Sequence, residues 1–126
     1  MFRTLGLASV FLLIQNVLLG QAFTGSVSGI VTDPSGAVVA DVAISVTDLQ
    51  RNISFKTASN ATGFYVSPPL PPGTYRLTAE KAGFRGFTLE PVPLATQQKA
   101  TFNITLQLGP LSQTVQITAQ AQMLGL

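Results

Sequence analysis

The sequence contains no cysteine, no histidine and no tryptophan. Without cysteine no disulfide can staple the fold, so a domain of this size must hold by burying a core. There is also no cysteine to carry a lipid anchor at the start of a processed chain. Without histidine or cysteine, Ser-His-Asp and Cys-His arrangements are excluded, as are the usual zinc ligand sets. Charge is scarce as well: charged residues make up 10% of the chain, against about a quarter in ordinary proteins. The net charge is only +2. After the first 22 residues the basic side chains stand singly, at Arg51, Lys56, Arg76, Lys81, Arg85 and Lys99. Nucleic acid needs clustered basic residues to displace its counterions, so it is not an expected partner. The carboxylates are Asp33, Asp41, Asp48, Glu80 and Glu90. Asp33 and Asp41 flank one loop, which is suggestive of calcium or an acid pair, but aspartate is foremost a turn former. The glycines are spaced as turns and make no phosphate-cradling loop. The expectation is a protein with no catalytic, cofactor-binding or metal-ligating residue, and not an enzyme.

What is present begins with an address. Met1–Thr4 carries one basic side chain, Arg3, and Leu5–Leu19 is apolar except around Gln15 and Asn16. Gly20-Gln21-Ala22 then offers small residues at the −3 and −1 positions of a cleavage site. This is the layout of a secretory signal peptide cut between Ala22 and Phe23. The apolar run is shorter than the ~20 residues that span a bilayer. Residues 1–22 are therefore set apart from the fold, and the remainder is expected to be exported.

From Phe23 onward the pattern has period two, broken by Gly, Pro, Asn and Asp every eight to twelve residues, as in an all-β sandwich or barrel. Val27, Gly29 and Val31 share one face, with Ser28, Ile30 and Thr32 on the other. Asp33-Pro34-Ser35-Gly36 and Asn60-Ala61-Thr62-Gly63 are turns, and Val42, Ile44 and Val46 mark the strand after the first of them. Further strands are predicted at Ile53–Thr57, Phe64–Ser67, Thr74–Glu80, Phe102–Leu108 and Thr114–Ala119. Pro68–Gly73 reads as a loop. Phe87–Leu94 contains Pro91 and Pro93 and is at best an edge strand. The predicted inward set is Val27, Val31, Val42, Ile44, Val46, Phe55, Tyr65, Leu70, Tyr75, Leu77, Phe102, Ile104 and Leu106. Each contributes ~1.5–3 kcal/mol when fully buried, before entropy is subtracted. Phe64, Phe84 and Phe87 stand near loop ends, where a ring can stack on a sugar, although packing beneath the loops is the stronger reading. Asn52, Asn60 and Asn103 fit the glycosylation sequon and are taken as chance matches.

These residues carry a resemblance. Val27–Asp33, Ser35–Val39 and Val42–Thr47, then Thr62-Gly63-Phe64-Tyr65, Leu70–Tyr75 and Lys81–Arg85, resemble the carboxypeptidase regulatory-like domain. The resemblance implies a seven-stranded, transthyretin-like (carbohydrate-binding-like) β-sandwich. Its motif residues here are Gly29, Asp33, Gly36, Gly63, Tyr65, Pro72, Gly73, Tyr75, Gly83 and Phe84. Their expected work is structural: Gly63 and Gly73 in backbone conformations other residues resist, and Tyr75 in the core with its hydroxyl at the rim. Two positions depart from the family pattern. Asp41 replaces the usual Gly, which implies a different turn. Ser67 replaces a large apolar residue, which implies a thinner core beside Leu70.

Leu108–Ala119 is similar to the segment that joins this domain to the plug in TonB-dependent outer-membrane receptors. The expected organisation is thus a signal peptide at 1–22, the sandwich at 23–108 and a linker-like tail with one extra strand at 109–126. By that resemblance the chain is an accessory domain on the periplasmic side of the outer membrane, in contact with envelope proteins or with the plug and barrel of a receptor. The alternative is a free-standing exported module that binds a glycan or a protein. The ligand-binding residues are left open.

Overall fold

The computed structural model describes residues 23–118. The signal segment, and Ala22 of its cleavage site, lie outside the described residues, as does the end of the tail beyond Thr118. The alternation seen in the sequence becomes nine strands: β1 Ser26–Thr32, β2 Ala43–Asp48, β3 Ser54–Ala58, β4 Phe64–Val66, β5 Gly73–Glu80, β6 Gly86–Leu94, β7 Lys99–Thr101, β8 Ile104–Thr105 and β9 Thr114–Ile117. They form two sheets. The smaller has the order β4-β1-β7 with β8 also on β1, and the larger runs β3-β2-β5-β6-β9. Among the described residues there is no helix. The sandwich is of the all-β type expected from the sequence.

β7 and β8 both run parallel to β1, with Phe102 and Asn103 between them. Taken as one interrupted strand, they bring the count up to residue 107 to seven, and β9 in the tail adds an eighth. Leaving the ladder at Phe102 frees backbone groups that burial does not tolerate unpaired. Each has a partner. The Asn103 Oδ1 accepts the Ile30 N–H at 3.0 Å, and the Tyr65 hydroxyl donates to the Phe102 carbonyl at 2.5 Å. β1 crosses this gap at Gly29, where an added Cβ would lie 2.6 Å from the Phe102 carbonyl carbon and closer still to its oxygen. Gly29 is required by that close approach.

The core is built as the alternation predicts. Val27, Val31, Ile44, Val46, Tyr65, Leu70, Tyr75, Leu77, Ile104 and Leu106 are all essentially inaccessible. Phe55 is only partly buried against it, because β3 is an outermost strand of the large sheet. The larger correction concerns β6. It is not an edge strand over its first half: it lies between β5 and β9, and contributes Phe87, Leu89, Val92 and Leu94 to the core. β9 pairs with Gly86–Leu89 only. Pro91 and Pro93 fall beyond that stretch, where no outer strand asks for their missing N–H groups.

Two serines are buried, one of them, Ser67, where an apolar residue is expected. The Ser67 Oγ accepts the Val27 N–H at 3.0 Å, and the Ser67 N–H donates to the Val27 carbonyl at 2.8 Å. Ser67 therefore extends the pairing of β1 past the end of β4. Ser59 takes the Val42 N–H at 2.9 Å and donates to the Val39 carbonyl at 2.8 Å, which fastens the loop before β2 to the end of β3. No buried side-chain nitrogen or oxygen among the described residues lacks a partner.

Candidate interaction surface

One end of the small sheet is shaped by two copies of the same turn. In Asp33–Ala37, the Asp33 Oδ1 accepts the Ser35 N–H at 2.9 Å, the Ser35 hydroxyl at 2.6 Å and the Ala37 N–H at 3.1 Å. In Asn60–Phe64, the Asn60 Oδ1 accepts the Thr62 N–H at 3.0 Å, the Thr62 hydroxyl at 2.7 Å and the Phe64 N–H at 3.1 Å. The fourth residue of each is a glycine in the left-handed region, Gly36 at φ 88° and Gly63 at φ 77°. An Asx side chain followed by Ser or Thr and then Gly is the chemistry such a turn asks for. The Ser35 hydroxyl, followed by backbone N–H groups, holds the Asp33 carboxyl below the usual carboxylate range. Asp33 thus spends its oxygen on its own loop. No cluster of three metal-ligating side chains is found among the described residues.

The remaining motif residues are structural in different ways. Gly83 also takes a positive φ, in the turn that leads to Phe84. Gly73 does not, contrary to expectation, and an added Cβ would meet nothing nearer than the Asp48 Oδ2 at 3.5 Å. Pro72 is exposed and leads into β5. The Tyr75 ring is buried, stands edge-on to Phe55 at 6.5 Å between centroids, and donates its hydroxyl to the Pro71 carbonyl. Burial, and then the Asp48 carboxylate, push its phenol up. Asp41 has φ 58°, so the turn is one that glycine favours, with aspartate as one of the few side chains that tolerate it. The different turn expected there is not seen.

The outer faces of the two sheets are unlike. Across the large sheet a row of Lys56, Ser45, Thr78, Thr88 and Gln116 is set side by side by the strand register. Beside it Arg76 and Glu90 form an ion pair at 2.8 Å. A shallow depression of about 370 Å³ on this face is lined by Ala43, Ser45, Lys56, Thr57, Thr78 and Glu80, and holds no aromatic ring. The small sheet shows the opposite character. Ile30 of β1 lies directly opposite Phe64 of β4, with Val66 two residues along. Val38 packs beside Gly63. Ile30, Val38, Phe64 and Val66 are 43%, 50%, 41% and 47% exposed, which makes one contiguous apolar patch next to the twin turns. Of the three phenylalanines placed near loop ends, only Phe64 is exposed: Phe87 is in the core and Phe84 packs against it. The alternation had already put Ile30 on the outer face. Its partner across the ladder comes from a strand more than thirty residues away, and no local signal announces that pairing.

Residues 26–107 match the family model of the carboxypeptidase regulatory-like domain. No curated protein matches the chain. Among solved structures, a 5-hydroxyisourate hydrolase from Klebsiella pneumoniae is similar at 20% identity and a TM-score of 0.54, over 68% of this chain and 91% of that one. A proposed carbohydrate-binding protein from Bacteroides uniformis is similar at 18% identity and a TM-score of 0.54, over 68% of this chain and 42% of that one. A streptococcal ancillary pilin matches at 18% identity and a TM-score of 0.53, over 70% of this chain and 33% of that one. The chain spans less than two thirds of the length of most of these neighbours. At such identities the likeness is one of fold, a transthyretin-like and carbohydrate-binding-like sandwich.

Proposed function

Since the chain belongs to the carboxypeptidase regulatory-like domain family, we propose that it is a non-catalytic accessory domain on the periplasmic side of the outer membrane. In this reading it is exported by its first 22 residues and works through protein contacts, as the amino-terminal extension of a TonB-dependent receptor. The observation that carries it is the contrast between the two outer faces. A charged, flat face keeps the domain soluble, while Ile30, Val38, Phe64 and Val66 present apolar area on a rigid sheet. A contiguous exposed apolar patch with a polar surround is the usual mark of a protein contact. The similarity of Leu108–Ala119 to the segment before a receptor plug supports the same reading.

The test is an immunoblot of fractionated source cells with an antibody to Phe23–Leu126, followed by pull-down from the envelope fraction. The expected result is an outer-membrane partner or a band far above the 13.2 kDa of the chain, and loss of the captured partner in Phe64→Ser. A small soluble species that recovers no envelope protein overturns the proposal. The second reading, a free-standing exported glycan- or protein-binding module, is favoured by the exposed ring of Phe64. Glycan-array binding that vanishes in Phe64→Ala with the fold intact selects its glycan form.

A further inference from the structure

A sheet edge exposes N–H and C=O groups that a further strand can complete. The edges formed by β4 and β3 are unlike. β4 is three residues long, and its Phe64 is already taken: the Asn60 N–H donates to the Phe64 carbonyl at 2.9 Å, and the Asn60 Oδ1 accepts the Phe64 N–H at 3.1 Å. β3 is five residues long. Two bonds fix the phase of its ladder with β2. The Asp48 N–H donates to the Ile53 carbonyl at 2.8 Å, and the Ser59 N–H donates to the Val42 carbonyl at 3.1 Å. In an antiparallel pair, residues bonded to the neighbour alternate with residues turned away from it. Phe55 and Thr57 therefore turn their peptide groups to β2, and Ser54, Lys56 and Ala58 turn theirs outward. All three are exposed, and among the described residues their outward groups meet no hydrogen-bond partner.

The side chains add a preference. Lys56 stands on the polar face in the row Lys56, Ser45, Thr78, and forms no ion pair among the described residues. Arg51, its side chain 59% exposed, leads into the same strand. Glu80 shares the shallow depression with Lys56, but it lies opposite Ala43, which in turn lies opposite Ala58. A strand added outside β3 is three strand spacings, about 14 Å, from that carboxylate's strand. On the core side Phe55 is only partly buried, and Ile53, two residues before it, is 51% exposed.

We infer that β3 is the docking edge for an extended acidic segment of another protein, which adds antiparallel and extends the large sheet. The inference rests on the reading of the chain as a domain that works through protein contacts, and gives that partner a chemistry. Antiparallel is the sense of every pair from β3 to β6. A glutamate opposite Lys56 meets the ammonium on the polar face. Apolar residues on either side of it cover Phe55 and Thr57, and the outward groups of Ser54, Lys56 and Ala58 are paired. A lysine at the middle of an edge keeps copies of one chain apart, because self-pairing sets like charges opposite. The same charge favours an acidic partner.

The experiment is fluorescence anisotropy of a dye-labelled synthetic peptide, Thr-Val-Glu-Val-Thr-Val between short Gly-Ser ends, titrated with the full chain, with amide exchange measured on the complex. Two further peptides carry Gln or Lys in place of Glu. The expected result is saturable binding of the glutamate peptide, with the glutamine form about threefold weaker or more. On saturation the Ser54, Lys56 and Ala58 amides exchange about tenfold more slowly, and the Phe55 and Thr57 amides are unchanged. Lys56→Glu keeps the melting curve, releases the glutamate peptide and takes the lysine one. Ala58→Pro withdraws one outward N–H without breaking a bond to β2, and weakens all of the peptides alike. Equal affinity for the three peptides overturns the inference. So does a preference that survives Lys56→Glu, protection that grows at Phe64–Val66 instead of β3, or association of the chain with itself through β3. Absence of binding overturns it too, and overturns it alone: the fractionation and the Phe64→Ser pull-down use neither β3 nor the peptide, so the two readings fail separately.

Discussion

Replacing Tyr65 by phenylalanine removes one oxygen and leaves the ring in place. That oxygen donates to the Phe102 carbonyl at 2.5 Å, where the interrupted strand β7–β8 leaves its ladder. Gly29 closes over the same carbonyl so tightly that even a Cβ collides with it, so no side chain can reach the oxygen from that position. Stranding one buried acceptor costs about 1–3 kcal/mol. For a domain of this size each kcal/mol lowers the melting temperature by roughly 4–8 °C, so Tyr65→Phe should melt about 10 °C below the parent. Circular dichroism is the right probe, since the chain has no tryptophan. A second signature lies at high pH. Burial pushes the Tyr65 phenol well above its ordinary value, so the folded state keeps its proton where the unfolded state, at about 10, lets it go. The stability this supplies is whole below pH 10 and is lost as pH rises above it. Tyr65→Phe should flatten that alkaline decline, leaving the smaller part due to Tyr75. A variant that melts within a degree of the parent, with the same alkaline slope, would refute the account of the gap.

Other substitutions test other parts of the argument. Gly63→Ala forces a Cβ to 2.8 Å from the Val31 carbonyl oxygen at a positive φ, and should cost about 2–3 kcal/mol in urea unfolding. Gly73→Ala meets neither obstacle and should stay within about 0.5 kcal/mol of the parent. The Asp33 and Asp48 carboxyls are both held below their ordinary value, Asp33 chiefly by the Ser35 hydroxyl and Asp48 chiefly by the Arg51 N–H. Their contribution is therefore present above about pH 4 and lost as pH falls through the folded values. Thermal melts between pH 2 and 6 should show that loss in the parent and less of it in the Asp33→Asn, Asp48→Asn double variant. Truncation after Leu108 uncovers the edge of β6 and the part of the core that Ile117 covers, and should lower the melting temperature and promote aggregation, read by light scattering.

The strands with clean alternation were legible because inward side chains repeat every second residue: Val27 and Val31, Ile44 and Val46, Ile104 and Leu106 are all core residues. The twin turns were legible for the same local reason, since Asp-Pro-Ser-Gly and Asn-Ala-Thr-Gly hold their geometry within themselves. What could not be read depends on distant partners. Pro91 and Pro93 argued for an edge strand, but β6 is an edge only where β9 stops, and nothing near the prolines tells where that is. Ser67 looked like a gap in the core, whereas its hydroxyl accepts a backbone N–H from β1, a strand far along the chain. The apolar patch exists because Ile30 and Phe64 share one register position, a fact about pairing and not about either segment.

β1 comes first in the chain, yet its partners on one side are β7 and β8, near the end of the family domain. Until residues around 105 have been made, β1 can hold no more than β4 and cannot complete the small sheet. The long loops that must close before those contacts form make such a topology slow to fold, on the scale of milliseconds to seconds. The large sheet is different, since β2, β3, β5 and β6 all lie within residues 43–94 and need no later strand to pair with one another. The two layers of one sandwich thus become available at different moments of synthesis, and the core between them can close only when the later layer receives its last strands.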